Sequence, residues 1–381
     1  MDLNDIRQEI DRIDDQIAAL FKARMDAAGQ VAAAKRETGK PIFDHARERA
    51  IVNRVTALTG DVYAPYARAL YRQLFDLSRS YQSSLFNYES PLAQKLARAV
   101  AETEGKHLPD RALVACQGTE GSYAQQACEK LFAYPDILYF ERFDGVFRAV
   151  EQGMCRYGIL PIENSTAGSV TQVYDLMEKH DFHIVGAQRL RIDHRLMRRD
   201  GRSSTPIAEI VSHEQALRQC SEYFAAHPGI KATPMENTAK AAEYVARCGR
   251  DDVAVIASRV CGSLYGLDIV DDAVANSEYN YTRFICIARR PEVYPGARKI
   301  SLMLNLAHEP GALSQVLNKL AVAGINVIKL ESRPIPGREF EFRFFFDIAA
   351  SVEDPEIVRL LCELEARTDR FVFLGCYDEA N

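Results

Sequence analysis

The 381-residue sequence has no tryptophan, no long basic run and no apolar stretch near the roughly 20 residues that span a bilayer, so no membrane helix is expected. Net charge is −6, from 47 basic and 53 acidic residues, which removes the cationic surface that general nucleic-acid binding needs. No CxxC pair occurs among the nine cysteines, an odd count, so neither a disulfide framework nor a zinc ribbon fits. They read as reduced, buried small hydrophobes. His180 and His183, the nearest histidine pair, match no metal-ligand spacing, and neither metal nor cofactor is expected. Met1-Asp2-Leu3-Asn4-Asp5 sets acids where a signal peptide needs cations, so a soluble cytoplasmic protein is expected. At about 150 residues per domain the length implies two or three domains.

What is present divides into three unlike regions. Leu3, Ile6, Ile10, Ile13, Ile17 and Leu20 follow the 3–4 spacing of a helix seam, and breaks at 39–41 and 59–61 leave three helices near 4–37, 44–58 and 62–88. A segment at 90–110 reads as a partly helical linker. From 111 to 290, β-type runs (112–116, 157–160, 183–185, 253–256, 284–288) alternate with helical stretches, an α/β pattern. After a joint at 291–296, the order strand 300–306, helix 311–323, strands 325–332 and 340–348, helix 355–366 and strand 371–376 is βαββαβ, an α+β ferredoxin-like module over 297–381.

The first helix carries a conflict. Its apolar seam reaches Arg24 and passes beside Lys35, and a cation inside an apolar stripe needs an anionic partner, structural or bound. Arg24 and Lys35 lie on nearly one face about 16 Å apart, close enough to shut on one small anion, whereas Arg7 is about 25 Å from Arg24 along the axis. A site containing Arg7 therefore calls for a second chain. Asp44, Arg47 and Glu48 share a face of the second helix, and Ser78 and Gln82 a face of the third.

Separately these sets are equally well solvated polar faces. Together, Arg7, Arg24, Lys35, Asp44, Arg47, Glu48, Ser78 and Gln82 match the active-site pattern of the all-helical chorismate mutases, which residues 1–89 closely resemble. The resemblance implies an entwined homodimer, or a higher homo-oligomer, that rearranges chorismate to prephenate. Arg7, Arg24 and Arg47 would hold carboxylates, Lys35 and Gln82 would donate to the ether oxygen, Glu48 would accept from the ring hydroxyl, and Asp44 and Ser78 would support.

In the middle region the turn Gln117-Gly118-Thr119-Glu120-Gly121-Ser122-Tyr123 follows a strand and opens a helix, an arrangement able to face an anion. Pro161-Ile162-Glu163-Asn164-Ser165-Thr166-Ala167-Gly168-Ser169-Val170 forms a polar loop after the next strand, and Asn280-Tyr281-Thr282-Arg283-Phe284 precedes a later one. In this order they resemble the prephenate dehydratases. The resemblance implies two α/β lobes like a type II periplasmic binding protein, with prephenate in the cleft. Thr282 would be the acid for the departing hydroxide, Arg283 would orient a carboxylate, and Glu163, Asn164, Ser165, Thr166, Gly121, Ser122 and Tyr123 would line the site.

In the last module Gly311-Ala312-Leu313 at a helix start and Glu331-Ser332-Arg333 at a strand end resemble the ACT domain of phenylalanine-regulated dehydratases, which implies L-phenylalanine as effector. The order resembles the bifunctional chorismate mutase/prephenate dehydratases, enzymes of phenylalanine biosynthesis. An arogenate-preferring dehydratase and a non-enzymatic amino-acid sensor are the alternatives.

Overall fold

The computed structural model describes residues 2–38, 44–85 and 90–380. The chain divides into two units, Met1–Lys95 with Leu306–Ile325 and Asp354–Asp369, and Leu96–Asn305 with Asn326–Glu353 and Arg370–Asn381.

In the first unit, α1 (Leu3–Thr38) lies against α2 (His45–Ser84). Asp44 caps α2, its Oδ1 accepting from the Arg47 N–H at 2.9 Å. The expected break near residue 60 is Gly60, at φ +72° inside α2, whereas the break at 39–41 falls outside the described residues. Small residues, Ala28 and Ala32, are buried on α1, while every member of the leading seam, Leu3 through Leu20, stays at least 42% exposed. Six large apolar side chains on one face of a 36-residue helix are therefore uncovered in the single chain.

α3 (Pro91–Thr103) occupies part of the expected linker. The first lobe then holds β1 (Arg111–Gln117), α4 (Tyr123–Leu131), β2 (Tyr134–Phe140), α5 (Phe143–Glu151), β3 (Tyr157–Asn164), β4 (Gly168–Ser169), α6 (Thr171–Met177) and β5 (His183–Arg191). The chain crosses to a second lobe of β6 (Arg195–Arg198), β7 (Glu209–His213), α7 (Glu214–Gln219), α8 (Ser221–Ala226), β8 (Lys231–Met235), α9 (Thr238–Arg247), β9 (Val253–Ala257), α10 (Arg259–Tyr265) and β10 (Asp268–Asp271). It returns through β11 (Tyr281–Ala288). The C-terminal elements are β12 (Lys299–Asn305), α11 (Ala312–Val322), β13 (Val327–Pro334), β14 (Phe342–Ala349), α12 (Pro355–Glu365), β15 (Arg370–Tyr377) and β16 (Glu379–Ala380).

Three sheets result: β16-β5-β11-β3-β1-β2 with β4 on β3, then β10-β6-β9-β7-β8, then β13-β14-β12-β15. Strands such as Val253–Ala257 are apolar throughout because both faces of their sheet are covered. The C-terminal sheet is not a free-standing module. Met303, Phe345, Leu374 and Tyr377 share one core with Ile184, Ala187, Ile285 and Ile287 of the first lobe.

That shared core demands close approach. A Cβ on Gly375 of β15 would lie 2.0 Å from the Ile184 carbonyl oxygen of β5, so only glycine fits there. Gly375→Ala should force the strands apart and cost about 3 kcal/mol, the range of overpacked cores, seen as a lower urea midpoint for the sheet unit.

Candidate active sites

The first cluster sits where α1 meets α2. Arg24 Nη1 donates to Ser78 Oγ and, at 3.1 Å, to the Leu74 carbonyl, and its guanidinium lies 5.7 Å from the Phe75 ring centroid. Burial lowers the Arg24 pKa, with Tyr71 and Glu48 opposing the shift. Glu48 is bonded by Arg79, a buried cation that also bonds Asp76. Gln82, one turn beyond Ser78, is buried with Oε1 lacking a hydrogen-bond partner among the described residues. The fold thus gathers Arg24, Glu48, Ser78 and Gln82. Lys35 is half-buried, Asp44 serves as the α2 cap, and Arg47 and Arg7 are exposed. Arg79 escaped the sequence reading because an arginine on an amphipathic helix looks solvated until its neighbours are known.

The second cluster is built on two paired strands. β3 and β11 run antiparallel with Asn164 opposite Thr282 and Glu163 opposite Arg283. Asn164 Nδ2 lies 2.9 Å from Thr282 Oγ1 and 2.7 Å from Asn280 Oδ1, while Asn164 Oδ1 accepts from Thr166 N and Oγ1 and from Ala167 N at 2.7–3.0 Å. The acceptor end of Asn164 is therefore saturated and its donor end fixed, which defines the amide orientation. Ser165 accepts from Tyr281 N at 2.9 Å and so ties the loop to β11.

The network continues into the second lobe. Gln219 Nε2 donates to Thr166 Oγ1 at 2.8 Å, and Gln219 Oε1 accepts from Asn280 Nδ2 at 3.0 Å and from His194 Nε2 at 2.9 Å. That fixes the Nε2–H tautomer of His194, whose Nδ1 faces Tyr123 OH at 3.3 Å. Burial, first among the causes, lowers the His194 pKa and raises that of Tyr123. Thr282, almost buried, accepts from Asn164, and its own proton has no acceptor among the described residues. Gln219 and His194 were missed from sequence, where one glutamine in a helical stretch and one lone histidine carry no pattern.

Several expectations need correction. Arg283 and Glu163 do not face the cleft. The expected strands began at Phe284 and stopped at Leu160, but β11 and β3 include the motif residues, so neighbours in sequence point to opposite faces. Arg283 instead meets Asp347 at 2.7 Å and Glu163 at 3.3 Å. Ser122 is the N-cap of α4, and Gly121, at φ +86°, packs against Cys261 and Leu264 of α10, so both serve local structure. Glu331 accepts from Ser169 at 2.8 Å and Arg333 pairs with Asp175 at 2.9 Å, leaving Ser332 on the exposed face of β13. Gly311, at φ +94°, precedes the first α11 residues Ala312 and Leu313. Among the described residues no group of three or more His, Cys, Asp or Glu could hold a metal.

Residues 6–83 match the chorismate mutase type II family, 114–292 the prephenate dehydratase family and 300–366 the ACT domain family. The chain is 32% identical to the bifunctional chorismate mutase/prephenate dehydratase of Escherichia coli K12, over 99% of this chain and 96% of that one. It is 34% identical to arogenate dehydratase/prephenate dehydratase 2 of Arabidopsis thaliana, over 76% and 78%. Among solved structures, a prephenate dehydratase of Arthrobacter aurescens in complex with L-Phe shares the fold at TM-score 0.64 and 23% identity, over 70% of this chain and 90% of that one.

His194 makes the second cluster sensitive to acid. Its folded pKa lies below the unfolded value of about 6.5, so below that pH the unfolded chain takes up protons the folded one refuses, and stability falls as pH drops. Urea midpoints at pH 7.5 and 5.5 should show this loss, and His194→Gln should reduce it.

Proposed function

The chain belongs to the bifunctional chorismate mutase/prephenate dehydratase family, and on that premise we propose how its own residues carry the two reactions. Near-complete coverage of a bifunctional relative is the observation that carries the assignment.

Chorismate is a dicarboxylate whose rearrangement builds negative charge on an ether oxygen and needs neither nucleophile nor base. Fixed donors that hold a compressed conformer and stabilise that oxygen suffice. Arg24 and Arg47 take the carboxylates, Lys35 and Gln82 serve the ether oxygen, and Glu48, held by Arg79, accepts from the ring hydroxyl. Arg7 acts in the site of a second copy. The uncovered seam from Leu3 to Leu20 supports a homodimer, because covering such a face supplies what a helix of this length lacks alone.

In the second reaction the ring carboxylate leaves as CO2, its bonding electrons aromatise the ring, and the C4–O bond breaks with the oxygen departing as water. Thr282 donates its free proton toward that oxygen and regains one from solvent when the water leaves, while Asn164 holds the Thr282 oxygen from behind. A threonine hydroxyl is a weak acid, so most of the rate comes from position and from the polar cleft. The cluster of amides, hydroxyls and a neutral imidazole favours prephenate over arogenate. An ammonium would want a carboxylate, and the nearby ones are engaged: Glu163 with Arg283 and Lys329, Asp193 with Arg195.

For the ACT domain the effector is L-phenylalanine, a reading supported by the match to the ACT family and by the Arthrobacter dehydratase having been solved in complex with L-Phe. With Glu331 and Arg333 engaged within the chain, the candidate contact on β13 is Ser332, on the exposed face that also bears Ile328 and Leu330. Nine free thiols, eight of them buried, suit a reducing cytoplasm.

Purified protein supplied with chorismate, prephenate or arogenate tests the assignment directly. Lys35→Ala should lower the mutase kcat/KM by about 100-fold or more and spare the dehydratase, and Thr282→Ala should do the reverse. Loss of both activities in either variant would contradict two separate sites. Ile13→Glu, on the seam, should yield a monomer by light scattering with little mutase activity.

A further inference from the structure

Two strands that build the dehydratase cleft present a second face, and that face is charged. Thr282 and Asn164 look into the cleft, while Arg283 and Glu163, next to them in sequence, look toward the C-terminal sheet. β4 adds a third residue there, since Ser169 pairs with Glu163. Opposite stand Lys329 and Glu331 of β13 and Asp347 of β14. Arg283 Nη2 lies 2.7 Å from Asp347 Oδ2 and 3.3 Å from Glu163 Oε2, and Lys329 Nζ lies 2.9 Å from Glu163 Oε1 and 2.8 Å from Ser169 Oγ. Asp347 is held in turn by Ser301 at 2.6 Å. Every strand of the cleft loop is thus tied by charge to the regulatory sheet.

We infer that Arg283 is a positioning residue for the dehydratase reaction, and that Asp347 and Lys329 set its place and so transmit the state of the C-terminal sheet to Thr282. The buried guanidinium is shared among three carboxylates, Asp347 at 2.7 Å, Glu163 at 3.3 Å and Glu379 at 3.8 Å, and Asp347 is the nearest, so a displaced Asp347 changes the balance among them and with it the place of Arg283. Movement of Arg283 then moves the adjoining Thr282 through one peptide bond. The link is also able to shift. Arg283 Nε and Asp347 Oδ2 make no aligned hydrogen bond, so proximity of charge holds the pair, and the pairing of β11 with β3 changes register between Arg283 and Phe284, a bulge that lets the strand pivot beside the catalytic residue. Coupling of this kind is reciprocal: ligand in the cleft alters the affinity of the C-terminal sheet for its effector.

The inference rests on the dehydratase and phenylalanine reading above. Its test is steady-state kinetics of the full-length protein with prephenate, with and without L-phenylalanine, and with the urea midpoint of the sheet unit of each variant as the folding control. Asp347→Asn and Arg283→Gln should each lower the dehydratase kcat about tenfold with KM within about twofold, shift the L-phenylalanine midpoint at least about fivefold, and leave the mutase rate unchanged. The double variant should be no slower than the slower single one, and Asp347→Glu should recover part of the rate. Wild-type kcat and phenylalanine response in Asp347→Asn would overturn the inference, as would losses that multiply in the double variant. If the urea midpoint shows that Asp347→Asn does not fold, Lys329→Met decides by the same readouts, an unchanged kcat and midpoint overturning the inference. A wild-type protein that does not turn over prephenate would overturn the functional reading and this inference together, whereas an active wild type with an indifferent Asp347→Asn overturns this inference alone.

Discussion

The antiparallel pairing of β3 with β11 is the constraint on which the larger unit depends. Because side chains alternate along a strand, one register gives two surfaces at once: amides and a hydroxyl toward the cleft, an arginine and a glutamate toward the C-terminal sheet. Neither surface can be altered independently of the other. A slip of one residue would exchange them, burying Arg283 in the substrate site and Thr282 among carboxylates. The saturated acceptor of Asn164, together with the core shared by the first lobe and the C-terminal sheet, holds the register.

The helical unit solves a different problem. It holds two cations, Arg24 and Arg79, away from full exposure, and it does so by giving each of them partners within the chain. Arg24 rests on a hydroxyl, a carbonyl and an aromatic ring, with its pKa lowered by burial, and Arg79 is placed between two carboxylates.

Much of this was legible in the sequence, and the exceptions share a cause. The apolar period of three to four residues identified α1, and the residues proposed for the mutase site could be grouped because helix spacing converts directly into a common face. The ACT-like strand and helix order followed from short apolar runs separated by Gly and Pro. Arg283 and Glu163 were misread because the strand limits were drawn several residues short, turning a strand into a loop and hiding the alternation that separates neighbours. Gln219, His194 and Arg79 were invisible because their roles arise from burial by distant segments, and a polar residue in a single sequence reads as exposed until its partner is known.

The small strand β16 has a consequence for the order of folding. Glu379–Ala380 adds to the edge of the first sheet beside β5, with the Asp378 carbonyl accepting from Ala187 N at 3.1 Å and Glu379 within 3.3 Å of Arg189. Contacts joining residues nearly two hundred positions apart close large loops and form slowly, so the edge of that sheet stays unpaired until synthesis has passed residue 380. On a ribosome making this chain, the open β5 edge is therefore the place where a chaperone would be needed.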